Sequence, residues 1–259
     1  MKKMLFAAAL VVALISFANA QDAKTLTRAI TPQTQGAAKV PTAPSYCSPC
    51  LFYGGDWPVA SSSWVAFGNG NEYDAGTVYG YTNYIPVRIP SGQTWTVEGL
   101  FTNNIFYNFA TGTNSFKLDP NTSEWVICNA MVAGTGCTTV ASGTAAGNIA
   151  ATGREYSSVY FEYTVKAVIG HSGPVIGPGG TYWFGVAGDC TDSSCTEFMY
   201  NTDTFGGATY NAYGPVSPKC QAYQNGPVGG ITYQNDCDAG YGRGISAYMS
   251  GGVIGTQTH

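Results

Sequence analysis

The chain has 259 residues, with 34 Gly, 13 Pro, 18 Tyr and 8 Cys, and only 10% of it is charged, for a formal net charge of -4. A soluble domain usually carries nearer a quarter charged residues, so the composition argues against a coiled coil, a charge-rich disordered chain and a basic nucleic-acid binder. Glycine lacks the strict period of three that collagen needs, which leaves a compact, low-charge chain rich in glycine and tyrosine.

The N-terminus opens with Met1, Lys2 and Lys3, runs apolar from Met4 to Phe17 and closes on Ala18-Asn19-Ala20 before Gln21. A basic start, an apolar run of about a dozen residues and an A-x-A site predict a cleaved export signal over 1–20 and a secreted mature chain. A membrane anchor needs about 20 apolar residues. Gly, Pro or Asn interrupts every later apolar run, so no membrane insertion is expected. Loss of Lys2 and Lys3 makes the mature chain more acidic, which suits neither nucleic acid nor an anionic membrane surface. From Gln21 to Ser45 there is no aromatic residue, and Ala, Thr, Gln, Lys and Pro dominate. Such a stretch cannot bury enough apolar surface to offset its ordering entropy and reads as a flexible linker. Aromatics begin at Tyr46, and residues 46–259 read as a single domain, with Cys190 as the internal boundary should it divide.

All eight cysteines follow the signal: Cys47, Cys50, Cys128, Cys137, Cys190, Cys195, Cys220 and Cys237. In an oxidising compartment an even number predicts disulfides, and proximity in sequence suggests the pairs 47–50, 128–137, 190–195 and 220–237. Cys47-Ser48-Pro49-Cys50 also fits a thioredoxin-type motif, but that chemistry needs a helix N-terminus to lower the thiol pKa. Four-cysteine zinc binding does not suit an exported chain.

Segments of alternating character follow. Ile85, Val87 and Ile89 alternate with Tyr84, Pro86 and Arg88, and Pro86 suggests an edge or a bulge. Trp95 and Val97 alternate with Thr94, Thr96 and Glu98. Between Arg154 and Ile169, Val159, Phe161, Tyr163, Val165, Ala167 and Ile169 share one face, against Ser158, Tyr160, Glu162, Thr164 and Lys166. That period of two predicts a half-buried strand with its glutamate in solvent. Tyr182, Phe184 and Val186 alternate likewise, as do Ile245, Ala247 and Met249. Turn signals stand between these runs, at Gly68-Asn69-Gly70, Asp119-Pro120-Asn121, Gly177-Pro178-Gly179-Gly180 and Gly206-Gly207. Many short strands with frequent turns predict an all-β, antiparallel β-sandwich, jelly-roll-like at this length, with disulfide-stapled loops.

The segments Leu51-Phe52-Tyr53-Gly54-Gly55-Asp56, Ile89-Pro90-Ser91-Gly92-Gln93-Thr94-Trp95-Thr96-Val97, Leu100-Phe101-Thr102-Asn103-Asn104, Val140-Ala141-Ser142-Gly143-Thr144 and Pro178-Gly179-Gly180-Thr181-Tyr182-Trp183, in that order, resemble a group of uncharacterised secreted bacterial β-sandwich proteins. Some of those carry a PEP-CTERM sorting tail, which this sequence is read as lacking. The likeness spans Leu51 to Val186 and rests on turns and strand starts. It implies a β-sandwich and export, and brings no catalytic residues with it.

For catalysis the sequence is poor. His171 lies in a loop and His259 is the last residue, and no nucleophile elbow, zinc-protease helix or phosphate-binding loop stands in it. Glu98, Glu124, Glu155 and Glu162 could supply the two carboxylates of a glycosidase, although glutamate on a strand face ordinarily serves solubility. Asp189, Asp192, Asp236 and Asp238 flank cysteines in polar loops and could hold a structural calcium, or simply cap turns. No other cofactor is expected. Tyr73, Tyr79, Tyr81 and Tyr84 alternate with Asn, Gly and Thr, and exposed tyrosines beside amides can stack on sugar rings or build a protein interface. The expected function is therefore a non-catalytic extracellular binding or surface-structural module whose partner is a neutral glycan or another protein surface. The alternatives are a carboxylate-dependent polysaccharide hydrolase on a jelly-roll scaffold and a self-assembling envelope or matrix component.

Overall fold

The computed structural model describes residues 43–56, 72–73, 82–108, 122–156, 160–189, 197–201, 203–205, 213–215, 221–225, 234–235 and 247–259. These residues form strands and turns and no helix. The strands are β1 (Cys50–Tyr53), β2 (Glu72–Tyr73), β3 (Thr82–Ile89), β4 (Thr94–Asn108), β5 (Thr122–Val132), β6 (Gly136–Tyr156), β7 (Tyr160–Val168), β8 (Val175–Ile176), β9 (Gly180–Asp189), β10 (Glu197–Asn201), β11 (Asp203–Phe205), β12 (Tyr223–Asn225), β13 (Gln234–Asn235), β14 (Ala247–Met249) and β15 (Gly251–Thr258).

Two antiparallel layers result. The first runs β1-β15-β4-β7 and the second β6-β5-β9-β3, extended by β12 and β13. The long strand β6 joins them, pairing with β5 from Gly136 to Ala146 and with β7 from Gly147 to Tyr156. The short β2–β9 ladder is parallel. The pairings nest: β1 with β15, β3 with β9, β4 with β7, and β5 with β6.

Between the layers lie Phe52, Trp95, Val97, Leu100, Val165 and Val253 from one side and Ile85, Val87, Ile127, Phe184 and Val186 from the other. Each such side chain contributes about 1.5–3 kcal/mol on burial. Phe52 meets Phe184 edge-on across the interior, with ring centroids 5.9 Å apart. The alternation expected of Val165 and Ala167 therefore holds, and so does that of Ile85, Val87 and Ile89. Pro86, which has no N–H to give, falls where β9 runs alongside and β12 has already left.

At Glu98 the alternation shifts. Ile254 of β15 faces Gly99 while the next residue, Gly255, faces Val97, so β4 carries an extra residue there. Such a bulge exchanges the two faces of a strand. Trp95 and Val97 point inward before it and Leu100 after it, which turns Phe101 and Asn103 to the outer face. There Phe101, Tyr53, Ile254 and Cys47 form a second small cluster, with Tyr46 and Cys50 packed on it.

Candidate functional site

Residues 43–50 lie over this outer face, and the second cluster ends in a polar network centred on Arg154. The network starts in a bulge of the β6–β7 hairpin. Ala151 faces Tyr163 and Glu155 faces Phe161, so Thr152, Gly153 and Arg154 all oppose Glu162. Gly153 takes a φ of 80°, the left-handed region that glycine enters without strain, and the chain is re-aimed so that Arg154 folds back over Glu162.

Arg154 donates from Nε to Glu162 Oε2 at 2.5 Å and from Nη1 to Asp56 Oδ1 at 2.8 Å. Its Nη2 also pairs with Glu162 and reaches the hydroxyls of Tyr46 and Tyr53 at 3.1 and 3.3 Å. Thr152 Oγ1 donates to the same Glu162 oxygen at 2.8 Å. Tyr53 donates to Asp56 Oδ1 at 2.6 Å, so in the 3.2 Å contact between the two phenols Tyr46 is the donor. Asn103 Nδ2 donates to both phenols and to Ser250 Oγ, its Oδ1 accepts from Thr164, and Ser250 donates to the Gly55 carbonyl.

Glu162 shows none of its side chain to solvent, whereas Arg154 and Asp56 show about a fifth. Burial raises the Tyr53 pKa well above its usual value, with Arg154 acting in the opposite sense. Burial disfavours the charge on Arg154, but Glu162 first, then the two phenols and Asp56, outweigh it and raise its pKa. One arginine bridges the two carboxylates, so both are engaged in ion pairs inside the protein. The arrangement binds charge in place and ties residues 46–56 to β4, β6 and β7.

The structure redistributes the expected candidates. Glu162 is not the solvated strand-face residue the alternation suggested: it is 1% exposed, because Arg154 and the segment before β1 cover the polar face of β7. Glu124 keeps its surface role, accepting from Thr144 across β5 and β6 at 2.7 Å. Glu98 pairs with the loop residue His171 at 3.0 Å, and the imidazole, 93% exposed as its loop predicted, has its pKa raised by that hydrogen bond and charge. Glu155 lies in β6 opposite Phe161.

Of the four tyrosines, Tyr84 is 6% exposed and does not belong to an open aromatic row. Strand β12 pairs alongside it, and Trp183 donates to the Gln221 carbonyl at 2.6 Å, which brings residues 221–225 over this end of β3. Tyr73 sits in β2 beside Asp189; Tyr79 and Tyr81 lie outside the described residues. Cys47 and Cys50 pair with Cα atoms 4.8 Å apart, as do Cys128 and Cys137 at 5.8 Å. The other four cysteines and Asp192, Asp236 and Asp238 lie outside the described residues, as do the signal and residues 21–42 of the linker. Cys50 opens a strand and Cys47 is buried, so the helix N-terminus that redox catalysis wants does not stand at this motif. Asp189 closes β9 against Thr122, and among the described residues no cluster of three or more metal-ligating side chains occurs.

Sequence reading missed Asp56, Arg154, Tyr46, Tyr53, Asn103 and Ser250. One signal was available: no charged residue occurs between Glu124 and Arg154, so Arg154 ends a long neutral stretch immediately after a glycine. That stretch leaves β6 without a charged side chain before Arg154; its Thr138, Ser142, Thr144 and Asn148 are exposed, with Glu124 of β5 against Thr144. Compared with protein-family models, curated proteins and solved structures, the chain matches none.

Proposed function

We propose that the chain is an exported, non-catalytic β-sandwich with the connectivity of a jelly roll, acting as an extracellular binding or surface-structural module like the secreted bacterial proteins it resembles. The nested pairing of first strand with last supports the jelly roll. The observation that carries the functional reading is Arg154, which engages both Asp56 and Glu162 in internal ion pairs. A glycosidase instead needs one carboxyl group that holds a proton, opposite a second about 5–10 Å away.

The partner surface is β6, whose exposed hydroxyls and Asn148 amide, with the Glu124 carboxylate beside Thr144, suit a neutral glycan or another β-rich surface through short-range hydrogen bonds. Weak long-range electrostatics follow from so few charges. Binding of the mature chain to a neutral-glycan panel is expected to be equal at low and high salt and lost in Ser142→Arg/Thr144→Arg, with no hydrolysis of the same glycans. Sustained sugar release that disappears in a folded Asp56→Asn variant would replace this reading with the hydrolase. A structural calcium on Asp189, Asp192, Asp236 and Asp238 belongs to the same proposal; a chelator should then lower the melting temperature, and an unchanged melting temperature removes the metal.

A further inference from the structure

The disulfide Cys47–Cys50 sits where the second cluster meets the polar network. Cys47 is 2% exposed among Tyr53, Phe101 and Ile254, whereas Cys50 is only half-buried. Next to Cys47, the Tyr46 ring packs edge-on against Phe101 at 5.4 Å and Tyr53 at 6.3 Å, and its hydroxyl joins the Arg154 network. Residues 43–49 themselves form no strand; among the described residues Pro49 accepts from the Gly255 N–H at 3.0 Å, and Cys47 bonds back to Pro44. The segment is held mainly by the disulfide, one aromatic ring and one phenol.

We infer that Cys47–Cys50 is a redox-set latch, in which the oxidised pair seats residues 43–49 on the outer face and thiol attack at Cys50 releases them, baring Phe101, Tyr53 and Ile254. The attacking thiolate must reach a sulfur, and Cys50 is the more exposed of the two residues. It bonds to Cys50 Sγ as the S–S bond breaks, and the electron pair leaves on Cys47 Sγ, which takes a proton from water. A second external thiol then attacks the mixed disulfide, freeing Cys50 as a thiol and departing as an external disulfide; the reverse sequence closes the latch. Once the bond is broken the sulfurs must separate to van der Waals contact. Cys50 is fixed in β1, whereas Cys47 belongs to residues 43–49, which form no strand, so the separation falls on that segment, and a close-packed cluster answers overpacking by moving its least-tied part.

The test uses the full mature chain in glutathione buffers of stepped ratio, with alkylation and mass spectrometry reporting each cysteine and amide exchange reporting local opening. Reduction of Cys47–Cys50 should speed exchange at Phe101–Asn103 and Gly252–Ile254 at least tenfold while Ile127 and Phe184 stay protected. Trapped glutathione should be found on Cys50. Equal exchange in both redox states, loss of protection at Ile127 and Phe184 as well, or glutathione on Cys47 would each overturn the latch. The variant Cys47→Ser/Cys50→Ser, which keeps Cys128–Cys137, should reproduce the open state; if it cannot fold, the disulfide is a folding requirement and the latch is wrong.

Discussion

Glu162 accepts from Arg154 and from Thr152 with no side-chain surface in water. Removing one partner of a buried pair leaves a desolvated charge, at a cost of about 3–5 kcal/mol. Asp56 still faces the guanidinium, so Glu162→Gln is expected at the low end, about 3 kcal/mol in urea unfolding. The surface variant Glu124→Gln should stay within about 0.5 kcal/mol; equal losses in the two would show that the network is no more than a surface pair. His171 is the counterexample at the same scale. Its folded pKa is raised above the ordinary value of 6.5 by Glu98, so the pairing is complete below that value and is lost as pH rises through the folded pKa. An NMR titration should place the His171 midpoint above 6.5, and Glu98→Gln should return it toward that ordinary value.

The β6–β7 bulge is the element that assembles the network, and Gly153 is its pivot. Beyond its two chain neighbours nothing lies within 4 Å of where a Cβ on Gly153 would stand, so the cost of a side chain there is conformational. Gly153→Ala is expected to lose about 1–2 kcal/mol, and Gly153→Asn less, because Asn tolerates the left-handed region. Gly252 in β15 differs in kind: a Cβ there would overlap the Phe101 ring. Gly252→Ala should therefore cost more than Gly153→Ala and disturb the Tyr46–Phe101 contact, which near-ultraviolet circular dichroism reads. The reverse order of stability would show that the outer cluster yields easily.

Across the whole molecule, β15 stands between the first strand and β4. Ending the chain after Ser250 would leave β1 without its ladder and bare the edge of β4. The expected result is loss of the cooperative thermal transition. A truncated chain that melts within a few degrees of the parent would make β15 peripheral. Alkaline pH probes the same closure through Tyr53. Its pKa is raised by burial well above the ordinary value of 10.0, so its stabilising effect is complete below that value and is lost as pH rises through the folded pKa. Tyrosine ultraviolet absorbance should show one phenol class that ionises only with unfolding.

Composition and alternation determined a good deal by themselves. Val165 and Ala167 face inward because a strand's side chains alternate strictly, and no neighbour can change which residues share a side. Cys47–Cys50 and Cys128–Cys137 pair because short loops bring the sulfurs together. His171 is exposed because its loop lies between two strands. Strands β6 and β15 were not legible: glycine in both, with alanine, serine and asparagine in β6, carries little strand preference, and packing against β5, β7 and β4 decides their state. The burial of Glu162 and Tyr84 was equally beyond local reading. Alternation says that a residue lies on the second side of a sheet, but whether that side meets water depends on what the chain lays over it. For Glu162 that cover includes Tyr46, Tyr53 and Asp56, about a hundred residues earlier, and only tertiary folding brings it there.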